Sequence, residues 1–148
     1  MASSRVFAVV FWFVAAIVST SVLAKEFIVG DEAGWKRGVD YFAWAKDKDF
    51  RVGDKLVFQY PVGGDSFDVV YKVNETGFDE CKPLPISGGL YSGNDIITFT
   101  TPGKRWYISD GGQEEGGNCM AGQKLAIYVK NKMHEGPYTG MAPTPIGS

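Results

Sequence analysis

The chain has 148 residues, a formal charge of −2 and 22% charged side chains. This length and composition predict a single soluble globular domain. Because the charge is slightly negative, the chain lacks the basic excess that nucleic-acid binding requires. The 14% share of aromatic residues and the 19 glycines favour β-structure with many turns.

The N-terminal segment has the layout of a secretory signal peptide. One positive residue, Arg5, precedes an uninterrupted apolar run at 6–18, and small and polar residues then lead to Ala24. The apolar run is shorter than the roughly 20 residues that span a bilayer, which argues against a membrane anchor. We therefore expect residues 1–24 to be removed and a secreted domain to occupy residues 25–130.

The two cysteines, Cys81 and Cys119, both lie in the expected mature part. In an oxidising compartment two cysteines most simply form one disulfide. Two free thiols or a metal ligand are the alternatives. The single histidine of the chain, His134, lies near its C-terminal end.

The first half of the expected domain predicts short strands and one short helix. Residues 27–29 form a β-prone run, and Asp40 is suited to cap a helix of one or two turns. Further strands are predicted at 55–60 and 66–73, with a turn between them. The aromatic residues expected to fill the core here are Phe42, Trp44 and Phe50.

The second half predicts a loop followed by more strands. Asn74 opens an Asn-Glu-Thr sequon at a strand end, so we expect it to be glycosylated. Residues 74–85 are expected to form a loop. The later strands are expected at 95–100, around Trp106 to Ile108, and at 124–130. Short strands divided by Gly and Pro turns predict an all-β Greek-key sandwich with short helical turns.

Residues 131–148 are polar and contain prolines, which predicts a flexible C-terminal tail. This tail has no apolar segment, so we expect no lipid-anchor signal at its end.

Several runs of the sequence, taken in their order and spacing, resemble the phytocyanins, the plant branch of the cupredoxins. These runs are VGDEAGW, YFAWAKDKDFRVGDKLVFQY, FDVV followed by a sequon and a cysteine, TPGKRWYI, and NCMAGQKLAIYV. They cover residues 26–129. The resemblance implies a cupredoxin-like sandwich, a disulfide between Cys81 and Cys119, and an extracellular or plasma-membrane location.

The resemblance also identifies the positions at which phytocyanins bind copper. A blue-copper site uses two imidazoles, one thiolate and a weak axial ligand. Phe67 and Asn118 stand at the imidazole positions, Ser109 at the thiolate position and Gln123 at the axial position. We therefore expect no copper cofactor and assign Gln123 no metal role. Among phytocyanins, the chain resembles the copper-lacking early nodulin-like proteins and stellacyanin-like domains.

Catalysis is not expected from this sequence. Ser109 has no histidine in the folded core to activate it as a nucleophile. Asp110, Glu114 and Glu115 lie on a glycine-rich loop that is poorly suited to hold two acids at a fixed distance. We expect a solvated acidic loop there, with a weak calcium site as the alternative.

The former copper end is instead expected to serve recognition. Phe67, Trp106, Tyr107 and the acidic loop lie near it, although the alternation of the strand favours a core position for Trp106. Aromatic and polar groups together suit a cell-wall glycan or an extracellular protein. We expect a monomeric, non-catalytic module in the apoplast or at the outer face of the plasma membrane. The alternative is blue-copper electron transfer.

Overall fold

A computed structural model describes residues 23–83, 88–111 and 117–133 of the protein. These residues contain seven strands and three short α-helices. The strands are β1 (Glu26–Ile28), β2 (Phe50–Arg51), β3 (Lys55–Gln59), β4 (Tyr71–Val73), β5 (Asn94–Thr98), β6 (Gly103–Ile108) and β7 (Lys124–Lys130). The helices are α1 (Tyr41–Ala45), α2 (Glu75–Asp79) and α3 (Gly117–Met120), and a 3-10 turn spans Asp31–Ala33.

The strands form two mixed sheets. One sheet has the order β1-β3-β5 and the other has the order β2-β7-β6-β4. The pairs β1–β3 and β2–β7 are parallel, whereas β3–β5, β4–β6 and β6–β7 are antiparallel. This arrangement confirms the predicted cupredoxin-like β-sandwich with short helical turns.

The main hydrophobic core contains residues from both sheets. Phe58 of β3 meets Tyr107 of β6 with ring centroids 5.4 Å apart. Trp35 is fully buried and packs edge-on against Phe58 at 5.0 Å. On β7 the side chains alternate as predicted, with Leu125, Ile127 and Val129 buried.

Helix α1 begins where the sequence predicts, but its core-facing side differs from the expectation. Asp40 caps the helix by accepting a hydrogen bond from the Ala43 backbone N–H at 2.9 Å. Tyr41 and Trp44, three residues apart, face the core, while Phe42 is 80% exposed. Since successive helix residues differ by about 100°, Phe42 points away from the face on which Tyr41 and Trp44 lie. The prediction that Phe42 fills the core was therefore wrong.

Helix α2 lies in the segment that the sequence predicted to be a loop. Asn74 caps it by accepting a hydrogen bond from the Gly77 N–H at 2.8 Å. Glycine is required at position 77 because a Cβ there would lie 2.5 Å from the Lys82 carbonyl oxygen. The Asn74 side chain uses its carbonyl oxygen for the cap and is exposed, so its amide nitrogen is left for a glycan. Glycosylation of Asn74 stays a prediction.

A second, smaller core forms around the disulfide. Cys81 and Cys119 are joined with an S–S distance of 2.07 Å, which confirms the predicted pairing. The two cysteines are buried with Val73 and Ile108, and Phe78 of α2 packs against this cluster. The disulfide therefore links the segment after α2 to α3.

The predicted signal peptide at 1–24 and tail at 131–148 fall largely outside the described residues, so both stay predictions. His134, Glu114 and Glu115 also lie outside them. Within residues 23–83, 88–111 and 117–133, no helix is both long and apolar enough to cross a bilayer.

Candidate functional site

Three of the four predicted ligand positions meet at one end of the sandwich. Ser109 follows the last residue of β6, Asn118 lies on α3, and Gln123 precedes the first residue of β7. The Ser109 N–H donates to the Gln123 carbonyl at 3.0 Å, and the Gln123 N–H donates to the Asn118 carbonyl at 3.0 Å. All three residues are buried.

The side chain that joins this cluster is Asp68, which sequence reasoning did not single out. One carboxylate oxygen, Oδ1, accepts hydrogen bonds from Gln123 Nε2 at 2.8 Å and Asn118 Nδ2 at 3.3 Å. The other oxygen, Oδ2, accepts from Ser66 Oγ at 2.9 Å. We call Asp68, Asn118 and Gln123 the amide–carboxylate cluster. The amide donors at two of the predicted ligand positions thus point at a carboxylate.

The backbone leading away from Asp68 is held by two side chains. Trp35 Nε1 donates to the Val69 carbonyl at 2.9 Å, and the Val69 N–H donates to Ser109 Oγ at 3.3 Å. Since the N–H and the carbonyl of Val69 both bond to side chains, Val69 does not pair with a neighbouring strand. The strand predicted at 66–73 is therefore confined to β4, preceded by an isolated bridge between Val70 and Leu90.

Phe67 does not join the cluster. Its side chain is 47% exposed and lines a groove at the surface. Its carbonyl is in close contact with Gly111, where a Cβ would lie only 1.2 Å from the Phe67 oxygen. Glycine at 111 thus lets the segment after β6 pass directly over Phe67.

The residues at this end do not fit the copper that phytocyanins use. Phe67 supplies no donor atom, and Ser109 Oγ is a protonated hydroxyl that already accepts the Val69 N–H. Gln123 Oε1 is buried without a hydrogen-bond partner among the described residues. A lone amide oxygen is a hard donor and supplies neither the thiolate nor the imidazoles of a blue-copper site. Over the same described ranges, no three His, Cys, Asp or Glu side chains are grouped to hold a metal ion.

We expect Asp68→Asn to lower the free energy of unfolding by about 1–2 kcal/mol, because it weakens hydrogen bonds from two amides to a charged acceptor. Urea unfolding followed by circular dichroism measures this change. The matched control is Asp65→Asn, which removes a nearby exposed carboxylate. Equal stability of both variants would show that the charge of Asp68 contributes nothing to folding.

The three aromatic residues that the sequence placed near the expected recognition surface lie in different environments. Tyr107 is fully buried in the main core, so its assignment to the surface was wrong. The alternation of β6 places Trp106 on the other face, where it packs against the disulfide cluster. Phe67 alone of the three lies exposed at the end of the sandwich that contains Ser109, Asn118 and Gln123.

The surface beside the cluster is a groove of about 400 Å³, which we call the tyrosine groove. Its walls include Phe67, Asp68, Tyr71, Tyr91 and Asp110. Sequence reasoning missed the two tyrosines because they lie 20 residues apart and meet only in the fold. Their hydroxyls are 2.6 Å apart and share a hydrogen bond.

One phenol and one carboxyl group of the tyrosine groove have raised pKa values. The hydrogen bond with Tyr91, assisted by burial, raises the pKa of Tyr71 to about 12. Burial raises the pKa of the Asp110 carboxyl above its usual value. At neutral pH the Tyr71 side chain is therefore a neutral phenol.

Comparison with protein families matches residues 35–123 to the plastocyanin-like domain. A blue copper protein of Petunia hybrida is 55% identical over 83 residues, which are 56% of this chain and 30% of that protein. Blue copper protein 1b of Medicago truncatula is 43% identical over 130 residues, covering 87% of this chain and 76% of that protein. Early nodulin-like protein 16 of Arabidopsis thaliana is 34% identical over 112 residues, covering 74% of this chain and 63% of that protein.

Solved structures show the same architecture. The cucumber stellacyanin structure has a TM-score of 0.64 and 28% identity, and covers 74% of this chain and 98% of that chain. The cucumber basic protein, a blue copper protein, has a TM-score of 0.60 and 30% identity, and covers 71% of this chain and 99% of that chain. The likeness therefore includes nearly the whole of each solved domain.

Proposed function

Because the chain belongs to the phytocyanin family of cupredoxins, we propose that it is a non-catalytic member without a blue-copper site, which acts by recognition at the cell surface or in the apoplast. Phytocyanins are generally extracellular or cell-surface proteins. The signal-peptide pattern at 1–24 supports the same location for this chain.

The single observation that carries the proposal is the amide–carboxylate cluster. Asn118 and Gln123 both donate hydrogen bonds to Asp68 Oδ1. Gln123 Oε1, which has no hydrogen-bond partner among the described residues, is a single hard donor and supplies neither the thiolate nor the imidazoles of a blue-copper site. The cluster thus stabilises the former copper end through hydrogen bonds within the protein.

The remaining ligand positions support the same conclusion. Ser109 and Phe67 supply neither a thiolate nor an imidazole, and both cysteines are joined in the disulfide. Copper cycling in phytocyanins depends on a thiolate in a near-trigonal ligand set. Without those groups, the chain supports no redox step at this position.

Titration of the mature protein with copper(II) tests the proposal. We expect no intense thiolate-to-copper absorption at roughly 600 nm and no reversible copper redox wave. The experiment uses residues 25–148 carrying His134→Ala, so that the only imidazole of the chain is removed.

The blue-copper alternative is an outcome of the same titration. Relatives named blue copper proteins favour it, and one of them, loaded in parallel, provides the positive control. A strong band in the His134→Ala protein would overturn the copper-free proposal and support electron transfer.

The partner that we propose is a cell-wall glycan or an extracellular protein, with no role for nucleic acid. The tyrosine groove supports this, because it combines exposed aromatic rings with carboxylates at the former copper end. Its volume of about 400 Å³ lies in the range of small-ligand sites. A glycan array and a pull-down, both with the glycosylated mature domain, distinguish the two classes of partner.

A further inference from the structure

The tyrosine groove has two aromatic walls set at right angles. The rings of Tyr71 and Tyr91 have an interplanar angle of 86° and a centroid distance of 6.3 Å. Tyr91 is 58% exposed, and Phe67, also partly exposed, lines the same groove. A hydrogen bond between the tyrosine hydroxyls joins the two rings at their outer ends. The groove therefore offers more than one aromatic surface to a single small group.

The charged groups of the tyrosine groove are all of one sign. Asp68 and Asp110 line it, and the described residues that line it include no Lys, Arg or His. None of the ion pairs between described residues involves either carboxylate. The hydrogen bonds that Asp68 accepts come from neutral amides and a hydroxyl, which leave its charge uncompensated. A bound cation would supply the missing charge.

Aromatic rings and carboxylates together favour a cation over a neutral ligand. The face of an aromatic ring attracts a cation held within about 6 Å of its centroid. Asp68 and Asp110 line the same groove and attract the same positive charge. A neutral sugar can also stack on the rings and donate its hydroxyls to the carboxylates, but it leaves their negative charge uncompensated, whereas a cation compensates it.

We propose that the tyrosine groove binds an alkylammonium group, with its methylene or methyl groups against Phe67, Tyr71 and Tyr91 and its charge near Asp68 and Asp110. The proposal rests on the proposed function, because it requires that no copper occupies this end. It deepens that function by choosing a cationic ligand, such as a lysine side chain of an extracellular protein. A round ammonium group fits perpendicular walls better than a flat guanidinium, which stacks on a single ring.

The test is a titration of the isotopically labelled mature protein followed by nuclear magnetic resonance. The probes are N-acetyl-lysine methylamide, which represents a protein lysine, and choline, which represents a free small cation. We expect both to shift the signals of Phe67, Tyr71 and Tyr91 at millimolar concentrations, with affinity that falls when salt is raised. Stronger binding of the lysine probe would identify a protein partner, and stronger binding of choline a free ligand.

The neutral control is N-acetyl-norleucine methylamide, which keeps the aliphatic chain and lacks the charge. We expect its affinity to be about 10-fold lower than that of the lysine probe, as loss of the cation–π and carboxylate contacts requires. Equal affinity of the lysine and norleucine probes would overturn the proposal. A second neutral probe is the sugar cellotriose. The proposal would also be overturned if cellotriose shifted the groove signals and neither cation did.

Variants locate the binding in the tyrosine groove. Tyr91→Leu should weaken binding of the lysine probe about 3- to 10-fold, and Asp110→Asn should weaken it and reduce its salt dependence. The matched control is Tyr128→Leu, because Tyr128 is also 58% exposed but lies on β7 outside this groove. Unchanged affinity in both groove variants, or an equal loss in the Tyr128 variant, would contradict the assignment.

Failure of this inference is distinguishable from failure of the proposed function. The copper titration reports on Ser109, Asn118 and Gln123, whereas the ammonium titration reports on the tyrosine groove. A colourless protein that ignores both cations would remain copper-free and refute the ammonium ligand alone.

Discussion

Replacing Trp35 with alanine will lower the free energy of unfolding by about 3–5 kcal/mol, the range for truncating a large buried aromatic side chain. Trp35 is fully buried against Tyr41 and Phe58. The same change leaves the Val69 carbonyl without its indole donor, and a buried unsatisfied carbonyl adds to the loss. Urea unfolding followed by circular dichroism gives the value.

Two further variants separate packing from hydrogen bonding at this position. Trp35→Phe keeps an aromatic ring but removes the donor to Val69. We therefore expect it to lower the free energy of unfolding, but by less than Trp35→Ala does. Phe42→Ala is the control, since a side chain that is 80% exposed should change stability by less than about 0.5 kcal/mol. A large loss in Phe42→Ala would mean that Phe42 belongs to the core, as the sequence first suggested.

Removing the disulfide through the double substitution Cys81→Ala and Cys119→Ala will destabilise the fold by roughly 3–4 kcal/mol. The bond closes a loop with a sequence separation of 38 residues, and on the chain-entropy model such a constraint restricts the unfolded state by this amount. The measurement is again urea unfolding, in which the denaturation midpoint should fall.

Reduction of the unmodified protein serves as the matched control for this double variant. If the loss arises from the cross-link, reduced wild type and the double variant should unfold at similar urea concentrations. An unchanged midpoint in the double variant would show that the small core around Val73 and Ile108 holds α2 and α3 in place without the covalent bond.

The sequence was informative where a local pattern is strong. The inward residues of β7 follow a strict alternation, and the Asp40 cap lies directly before the helix that it begins. The approach of Ser109, Asn118 and Gln123 was also predictable, because the resemblance placed them at the ends of consecutive elements. Each of these features depends on residues close together in the chain or on a matched motif.

Contacts between segments that are distant in the chain could not be predicted from local sequence patterns. Asp68 receives the amides of residues 50 and 55 positions later in the chain, so nothing near it in the sequence indicates its role. The pairing of Tyr71 with Tyr91 likewise depends on how the chain returns across the groove.

Helix α2 was missed because Thr76 and Gly77 are poor helix formers, and its start depends on the Asn74 cap.

The position of β7 between β2 and β6 has a consequence for the order in which the protein can fold during synthesis. Residues of β2 emerge from the ribosome early, yet their partners Val129 and Lys130 are among the last of the domain to be made. Until then β2 and the β4–β6 pair have no strand to join them, and half of the sandwich remains open. Folding must therefore be completed after translation of the domain, through contacts of long sequence separation that form slowly.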